Sequence, residues 1–242
     1  MKQLGRWLLL CLAAAVCLQL FFVGRIALMA VLDPSSTAFE RSEAWRLQRK
    51  ANGRWQQRWV DYAQISDHLK RAVIVSEDDS VAWHEGVDWD AMEKAWQKNA
   101  AAEARAAKQS AQGTKAVRPP KIVGGSTITQ QLAKNLLLSG ERTLMRKGQE
   151  LVLTFLLEQV LTKQRILELY LNHVEWGEGV FGAEAAAQRY YRKPAARLGP
   201  EEASRLAVML PRPRYFEQRP NSSYLAERAS VIRARLGRAE LP

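Results

Sequence analysis

From Trp7 to Gly24 the chain reads WLLLCLAAAVCLQLFFVG without a single charge, and the apolar character resumes after Arg25 as IALMAVL before Asp33-Pro34. About 20 apolar residues at 1.5 Å each cross a bilayer core, so the run predicts one membrane-spanning helix, with Arg25 reaching toward the interface. A cleaved secretory signal opens in the same way, with Lys2 and Arg6 ahead of an apolar run. Its small residues Ala13 to Ala15 lie in the middle of the run, and Val16 stands before Cys17, which disfavours a lipoprotein site. An uncleaved anchor is therefore the preferred reading. Lys2 and Arg6 favour a cytoplasmic N-terminus, whereas Arg41, Arg46, Arg49 and Lys50 follow the helix; large domains translocate largely regardless of such charges, so the residues alone leave the topology open.

A chain of 242 residues has room for this anchor and one domain that buries its own core, and a second catalytic domain is not expected. Both cysteines, Cys11 and Cys17, lie inside the apolar run, which leaves the rest of the chain without a thiol for a disulfide, a metal or nucleophilic catalysis. His68, His84 and His173 are far apart and form no helical metal pair. The net charge of +11 fits nucleic acid, anionic headgroups or phosphorylated substrates alike.

Residues 33–64, with Trp45, Trp55 and Trp59 among many charges, read as a connector. Ser66 to Ser76 has the pattern of a capped helix that delivers the acidic run Glu77-Asp78-Asp79. The Ala-rich, basic stretch from Lys94 to Lys121 reads as a mobile helix or a flap, either a solvated insertion or a surface facing phosphates or headgroups. Helical periodicity recurs over 127–138, 143–161, 163–173, 201–210 and 223–236. Strand signals are almost absent, so the expected fold is an all-helical, lysozyme-sized domain.

Three stretches carry chemistry. In Gly124-Gly125-Ser126-Thr127-Ile128-Thr129-Gln130-Gln131-Leu132-Ala133-Lys134-Asn135, glycines and hydroxyls run into a helix whose free N–H groups favour an anion. Thr127, Gln130, Gln131 and Lys134 share a face at helical spacing, a suitable diphosphate cradle, although the stretch lacks a nucleotide P-loop pattern. Arg146 and Glu150 stand one turn apart and can pair at the start of a largely apolar helix. Around Glu77-Asp78-Asp79 and Trp83-His84-Glu85-Gly86, apolar and aromatic neighbours could raise one carboxyl group toward the range of a working base; a solvated acidic helix end would look alike. Trp83, Trp89, Met92 and Trp96 fit a lipid-facing surface and a core equally well.

In order, ED(x5)H(x)G at 77–86, GGSTITQQLAKN at 124–135, RKxxE at 146–150 and KxxILELYLN at 163–172 resemble the family 51 peptidoglycan glycosyltransferases. The likeness runs over about residues 65–235, through Gly177, Gly179, Gly182, Ala183-Glu184-Ala185-Ala186-Ala187 and the 206–213 stretch. It fits best the short monofunctional biosynthetic transglycosylases with one anchor; the class A penicillin-binding proteins add a transpeptidase, and neither S-x-x-K nor K-T-G occurs here. Val81 departs from the family, which usually has an aromatic residue there.

The resemblance implies a lysozyme-like helical glycosyltransferase domain at 65–242, a cytoplasmic N-terminus at 1–6, a transmembrane anchor at 7–32 and a connector at 33–64. It implies a periplasmic domain on the bacterial inner membrane that polymerises lipid II into glycan strands with inversion. Glu77 is then the base; Glu150, the second expected catalytic carboxylate, positions cations or a divalent metal. Lys134, Arg142 and Arg146 stabilise the leaving diphosphate, and Ser126, Gln130, Gln131 and Asn135 orient it with the neighbouring sugar. No cofactor is required for the chemistry, and a divalent cation (Mg or Mn) is compatible with it. The expected partners are lipid II, the growing glycan strand, inner-membrane lipids and proteins of cell division or elongation, with no nucleic acid. The rival enzyme is a membrane-bound lytic transglycosylase or muramidase, which accounts for Glu77 but not for the cationic motifs. A basic membrane-tethered scaffold is the non-enzymatic rival.

Overall fold

The computed structural model describes residues 2–50, 53–111, 124–138, 140–141 and 143–242. The expected anchor is a continuous helix, α1 (Lys2–Met29), whose apolar side chains, from Leu4 through Trp7 and Leu12 to Leu20 and Phe21, are exposed along most of its length. It is long and apolar enough to cross a membrane. Its last third differs: Phe22, Ile26 and Met29 are buried and belong to the core of the domain that follows.

The stretch read as a connector carries a helix, α2 (Ala38–Gln48), and a short strand, β1 (Gln56–Gln57). Thr37 opens α2 with a capping box, in which Thr37 N–H donates to Glu40 Oε2 (2.7 Å) and Glu40 N–H donates to Thr37 Oγ1 (3.0 Å). Glu40 is itself fully buried, bonded to Gln57 Nε2 (3.1 Å) and to His173 Nδ1 (2.8 Å). A buried carboxylate survives only with such partners, so this segment is tied into the body of the domain.

The domain is helical, as periodicity predicts. In order come α3 (Asp67–Glu77), α4 (Trp89–Ala111), α5 (Ile128–Leu137), α6 (Leu144–Val160) and α7 (Lys163–His173). After strands β2 (Glu175–Gly177) and β3 (Val180–Phe181) follow α8 (Ala183–Tyr191), α9 (Pro200–Met209), α10 (Pro213–Glu217) and α11 (Ser223–Arg235). Four helix starts were readable because each has a hydroxyl cap: Ser66, Thr127, Thr143 and Thr162 accept from the first turns of α3, α5, α6 and α7. The strands form one small sheet in the order β1-β3-β2, β1 parallel and β2 antiparallel to β3. They are two or three residues long, too short for an alternating pattern to declare them in sequence.

The core fills the space between α3, α5, α7 and α9, where Leu69, Ile74, Ile128, Leu132, Leu136, Leu153, Leu157 and Trp176 are buried. Trp176 Nε1 donates to Leu206 O (3.1 Å), so its one polar atom is satisfied. Val81 is buried and joins this core, an aliphatic solution to the packing below the acidic run. The tryptophans of that region lie on the outside instead: Trp83, Trp89 and Trp96 are 77%, 59% and 72% exposed, which decides against the core reading. The Lys94–Lys121 stretch is helical to Ala111 in α4, and its remainder lies outside the described residues.

Gly86 marks the tightest contact near the acidic run. Its φ is +86°, and a Cβ there would stand 2.7 Å from Thr154 Cγ2 and 2.9 Å from Glu158 Cγ on α6. Gly86→Ala is expected to destabilise the fold by about 2 kcal/mol from backbone strain and overpacking, lowering the thermal midpoint by roughly 4–8 °C. A midpoint within a degree of wild type in a melting experiment would show that the contact is slack.

Candidate active site

The acidic run is built onto the end of α3, and Glu77 is the last residue of that helix. Its carboxylate accepts from Gln131 Nε2 (3.0 Å) on α5 and, more weakly, from Ser76 Oγ (3.4 Å). Gln131 is held in turn, because Tyr170 O–H of α7 donates to Gln131 Oε1 (3.1 Å). Burial is the largest influence on Glu77 and pushes its carboxyl above the ordinary glutamate range; the bonds from Gln131 and Ser76 pull it back, and the charge of Asp78 raises it further. Burial likewise lifts Tyr170 far above its usual value, with Glu77 and Asp78 adding to the effect, so Tyr170 stays a hydroxyl donor.

Asp78 has a different task. Its Oδ2 accepts from Ile128 N–H (2.9 Å) at the start of α5, and its Oδ1 meets His84 Nε2 (2.9 Å). Gly86 N–H donates to His84 Nδ1 (3.0 Å), so the ring proton belongs on Nε2, facing the carboxylate. Thr127 O–H donates to Gly86 O (2.6 Å). The N–H of Ile128 at this helix start, expected to favour an anion, is thus occupied. An anion does sit there, as the helix dipole favours, but it is the protein's own Asp78.

Gln130 is likewise placed differently from the shared-face reading. It closes a capping box in which Thr127 N–H donates to Gln130 Oε1 (3.1 Å) and Gln130 N–H donates to Thr127 Oγ1 (3.2 Å). Its side chain turns back to the helix start while still bordering the cleft. The spacing T-x-x-Q is a known signature of that motif and could have revealed it.

Beside these groups lies an open cleft of about 490 Å³ lined by Ser126, Gln130, Gln131, Lys134, Asn135, Arg146, Lys147 and Glu150, with Glu141 and Glu175 at its borders. Glu150 is buried; Arg146 Nη1 donates to its Oε2 (2.8 Å) and Lys147 Nζ pairs with its Oε1. Arg146 Nε is buried and has no partner among the described residues. Lys134 is exposed at the cleft mouth, while neighbouring protein partly desolvates its ammonium. That desolvation lowers its ammonium below the usual lysine range, Glu150 working against the shift and Arg146 and Lys147 with it. Glu175 is held by Arg214 (2.7 Å), and among the described residues Lys134, Arg146 and Lys147 are the cations that line the cleft.

Of the residues singled out in sequence, Ser126, Gln130, Gln131, Lys134, Asn135, Arg146 and Glu150 thus border one cleft, and Glu77 reaches it through Gln131. Arg142 lies outside the described residues. Lys147 and Tyr170 were not singled out. Lys147 is readable at i−3 from Glu150, whereas Tyr170 gave no local signal, since its partner is 39 residues away. Both carboxylate oxygens of Glu150 face cations, Oε2 toward Arg146 and Oε1 toward Lys147. Among the described residues no group of three or more His, Cys, Asp or Glu side chains gathers to hold a metal ion.

An open, cation-lined cleft beside a raised carboxyl group suits transfer of a group from an anionic leaving group, and the transglycosylase family matches residues 46–237 of the chain, which belongs to that family. Among curated relatives, the biosynthetic peptidoglycan transglycosylase of Burkholderia lata is 53% identical over 225 residues, covering 93% of this chain and 85% of the relative. The enzyme of the same name from Burkholderia ambifaria strain MC40-6 is 53% identical with the same coverage. That of Burkholderia vietnamiensis is 52% identical, again over 93% of this chain and 85% of its own length.

Proposed function

We infer that this peptidoglycan glycosyltransferase, a builder of glycan strands, takes lipid II as its substrate and joins its disaccharides with inversion, releasing a polyprenyl diphosphate. The observation that carries the reading is that Gln131, which lines one cleft with Lys134, Arg146 and Lys147, is bonded to Glu77, a glutamate raised by burial. A glycan-cleaving enzyme has to help a poor sugar leaving group; this cleft is equipped for a leaving group that departs as an anion.

In the reaction, the 4-hydroxyl of the acceptor sugar loses its proton to Glu77 as its oxygen bonds to the anomeric carbon of the donor. The bond from that carbon to the diphosphate breaks on the opposite face, and the electron pair leaves with the diphosphate. Lys134, Arg146 and Lys147 meet the charge that develops there. Gln131 orients Glu77, Glu150 keeps Arg146 and Lys147 in place, and Ser126 and Asn135 hydrogen-bond the diphosphate or adjoining sugar. The anchor α1 holds the domain on the periplasmic face of the inner membrane, where such a substrate resides.

The test is incubation of the purified full-length chain with labelled lipid II, with analysis of the products. Polymer that a muramidase digests, formed together with free polyprenyl diphosphate, supports the reading. Soluble fragments released from finished sacculi, with no polymer from lipid II, replace it with the lytic alternative.

The pH profile follows from the same groups. Glu77 works as a carboxylate, so kcat/KM falls as pH drops through its raised pKa, and the acid limb lies above the ordinary glutamate range. Gln131→Leu removes a bond that favours the charged form, so that limb moves to still higher pH, by about one unit. Lys134, lowered in the fold, loses its charge on the alkaline side earlier than a free lysine would. An acid limb unmoved in Gln131→Leu would dissociate it from Glu77.

A further inference from the structure

Gln19 is the one side-chain amide in the uncharged run from Trp7 to Gly24, and it has a partner in the domain. Gln19 Nε2 donates to Gln149 Oε1 (3.0 Å) and Gln149 Nε2 donates to Gln19 Oε1 (3.1 Å). Below this pair, Phe22, Ile26 and Met29 enter the core. At the end of α1, Arg165 closes the contact: its Nε donates to Met29 O (2.8 Å), its Nη2 to Leu32 O (3.0 Å) and to Asp33 (2.7 Å), and its Nη1 to Glu168 (2.7 Å). Gln19 thus sits beside the first half of α6, and Met29 beside the residues just after it, so α1 and α6 run parallel.

This geometry works as a depth gauge. Gln19 precedes Gly24 by five residues, about 8 Å along a helix, so the amide pair lies within the hydrocarbon if the uncharged run spans it. On the first turn of α6, Leu144 and Met145 are 92% and 88% exposed, as side chains that face lipid should be. An amide in hydrocarbon needs a partner, and a directional pair fixes one register between two helices where apolar contacts tolerate several. Gln149 adjoins Glu150 and lies one turn from Arg146 on the same helix.

We propose that the anchor is a positioning element of the active site: the Gln19–Gln149 amide pair and the Arg165 clasp hold α6, with Arg146 and Glu150, in one register against the membrane-spanning helix, so that the diphosphate of a membrane-embedded substrate meets the cations at the bilayer surface. The docking rests on geometry alone; its consequence for turnover rests on the substrate reading above. Gln19 and Gln149 touch neither substrate nor reacting atoms and act through α6.

Two measurements on the full-length chain in lipid nanodiscs test it. Gln19→Leu and Gln149→Leu each strand one amide in hydrocarbon; each is expected to raise KM for the lipid-linked substrate about three- to fifteenfold, the span of measured interhelical hydrogen bonds in membranes, with kcat within about twofold. The double variant, in which neither amide is stranded, is expected to be no worse than either single change, because the residues act as a pair. Singles equal to wild type, or losses that multiply in the double variant, would overturn the proposal. Independently, in a Cys11→Ser, Cys17→Ser background, Gln19→Cys with Gln149→Cys is expected to close with a short bis-thiol linker within one chain and to retain polymerisation. Absence of that cross-link, or an inactive cross-linked chain, refutes the docked arrangement. If the cross-link forms while wild type fails to polymerise lipid II, the substrate reading falls together with the role in turnover, and the docking stands.

Discussion

Replacing Glu77 by Gln is expected to lower kcat for glycan polymerisation by about a thousandfold, within the range that a positioned general base supplies, while KM for the lipid-linked donor stays within about twofold. The substitution keeps the shape of the side chain, and Gln131 Nε2, which stands 3.0 Å from Glu77 Oε2, can still donate to an amide oxygen there. What is lost is the ability to accept the proton of the attacking hydroxyl. Initial rates with labelled lipid II decide the matter. Polymerisation by the variant at a tenth of the wild-type rate or better would exclude Glu77 as the base, and would move attention to Asp78, although both oxygens of that residue are occupied by Ile128 N–H and His84.

Arg146→Ala should be nearly as damaging, for two reasons that act together. It removes a cation from the place where the diphosphate charge develops, and it strips a partner from Glu150, a buried carboxylate then left with the half-exposed Lys147 alone to offset its charge. Loss of one such electrostatic contact typically costs about 10²–10³ in rate, and kcat/KM is expected to fall by at least that much. Lys147→Ala should cost less, since its side chain is half exposed and screened by solvent. Adding Glu150→Ala to Arg146→Ala should recover part of the loss, because the stranded carboxylate goes too. If Arg146→Ala stays within about threefold of wild type, the cations of this cleft have no part in the departure of the leaving group.

The helices of the domain were legible because their signals are local. Thr127 and Thr143 cap their helices at the residue where the pattern begins and Thr162 one residue before it, and observed bounds such as Lys163–His173 coincide with the expected ones. The site was legible as a set of residues but not as a set of bonds. Nothing near Ile128 indicates that Asp78, 50 positions earlier, occupies its N–H, and helical spacing alone could not show Gln130 turning back to cap Thr127. The same holds for residues 33–64, whose charged composition suggests a connector, whereas Glu40 is buried through partners as distant as His173. Exposure of Trp83 and Trp96 was undecidable for a related reason: amphipathic spacing defines a face but not what covers it.

The hold on Glu77 has a consequence for how a polymer could be made many units long. The carboxylate ends α3, is braced by Gln131 of α5 and, through it, by Tyr170 of α7, while Asp78 bolts α3 to the start of α5. Three helices thus share one frame around Glu77. On the proposed mechanism, a frame braced in this way keeps its shape from one addition to the next, and the travelling part of the machine is the glycan itself, advancing by one disaccharide past a fixed point.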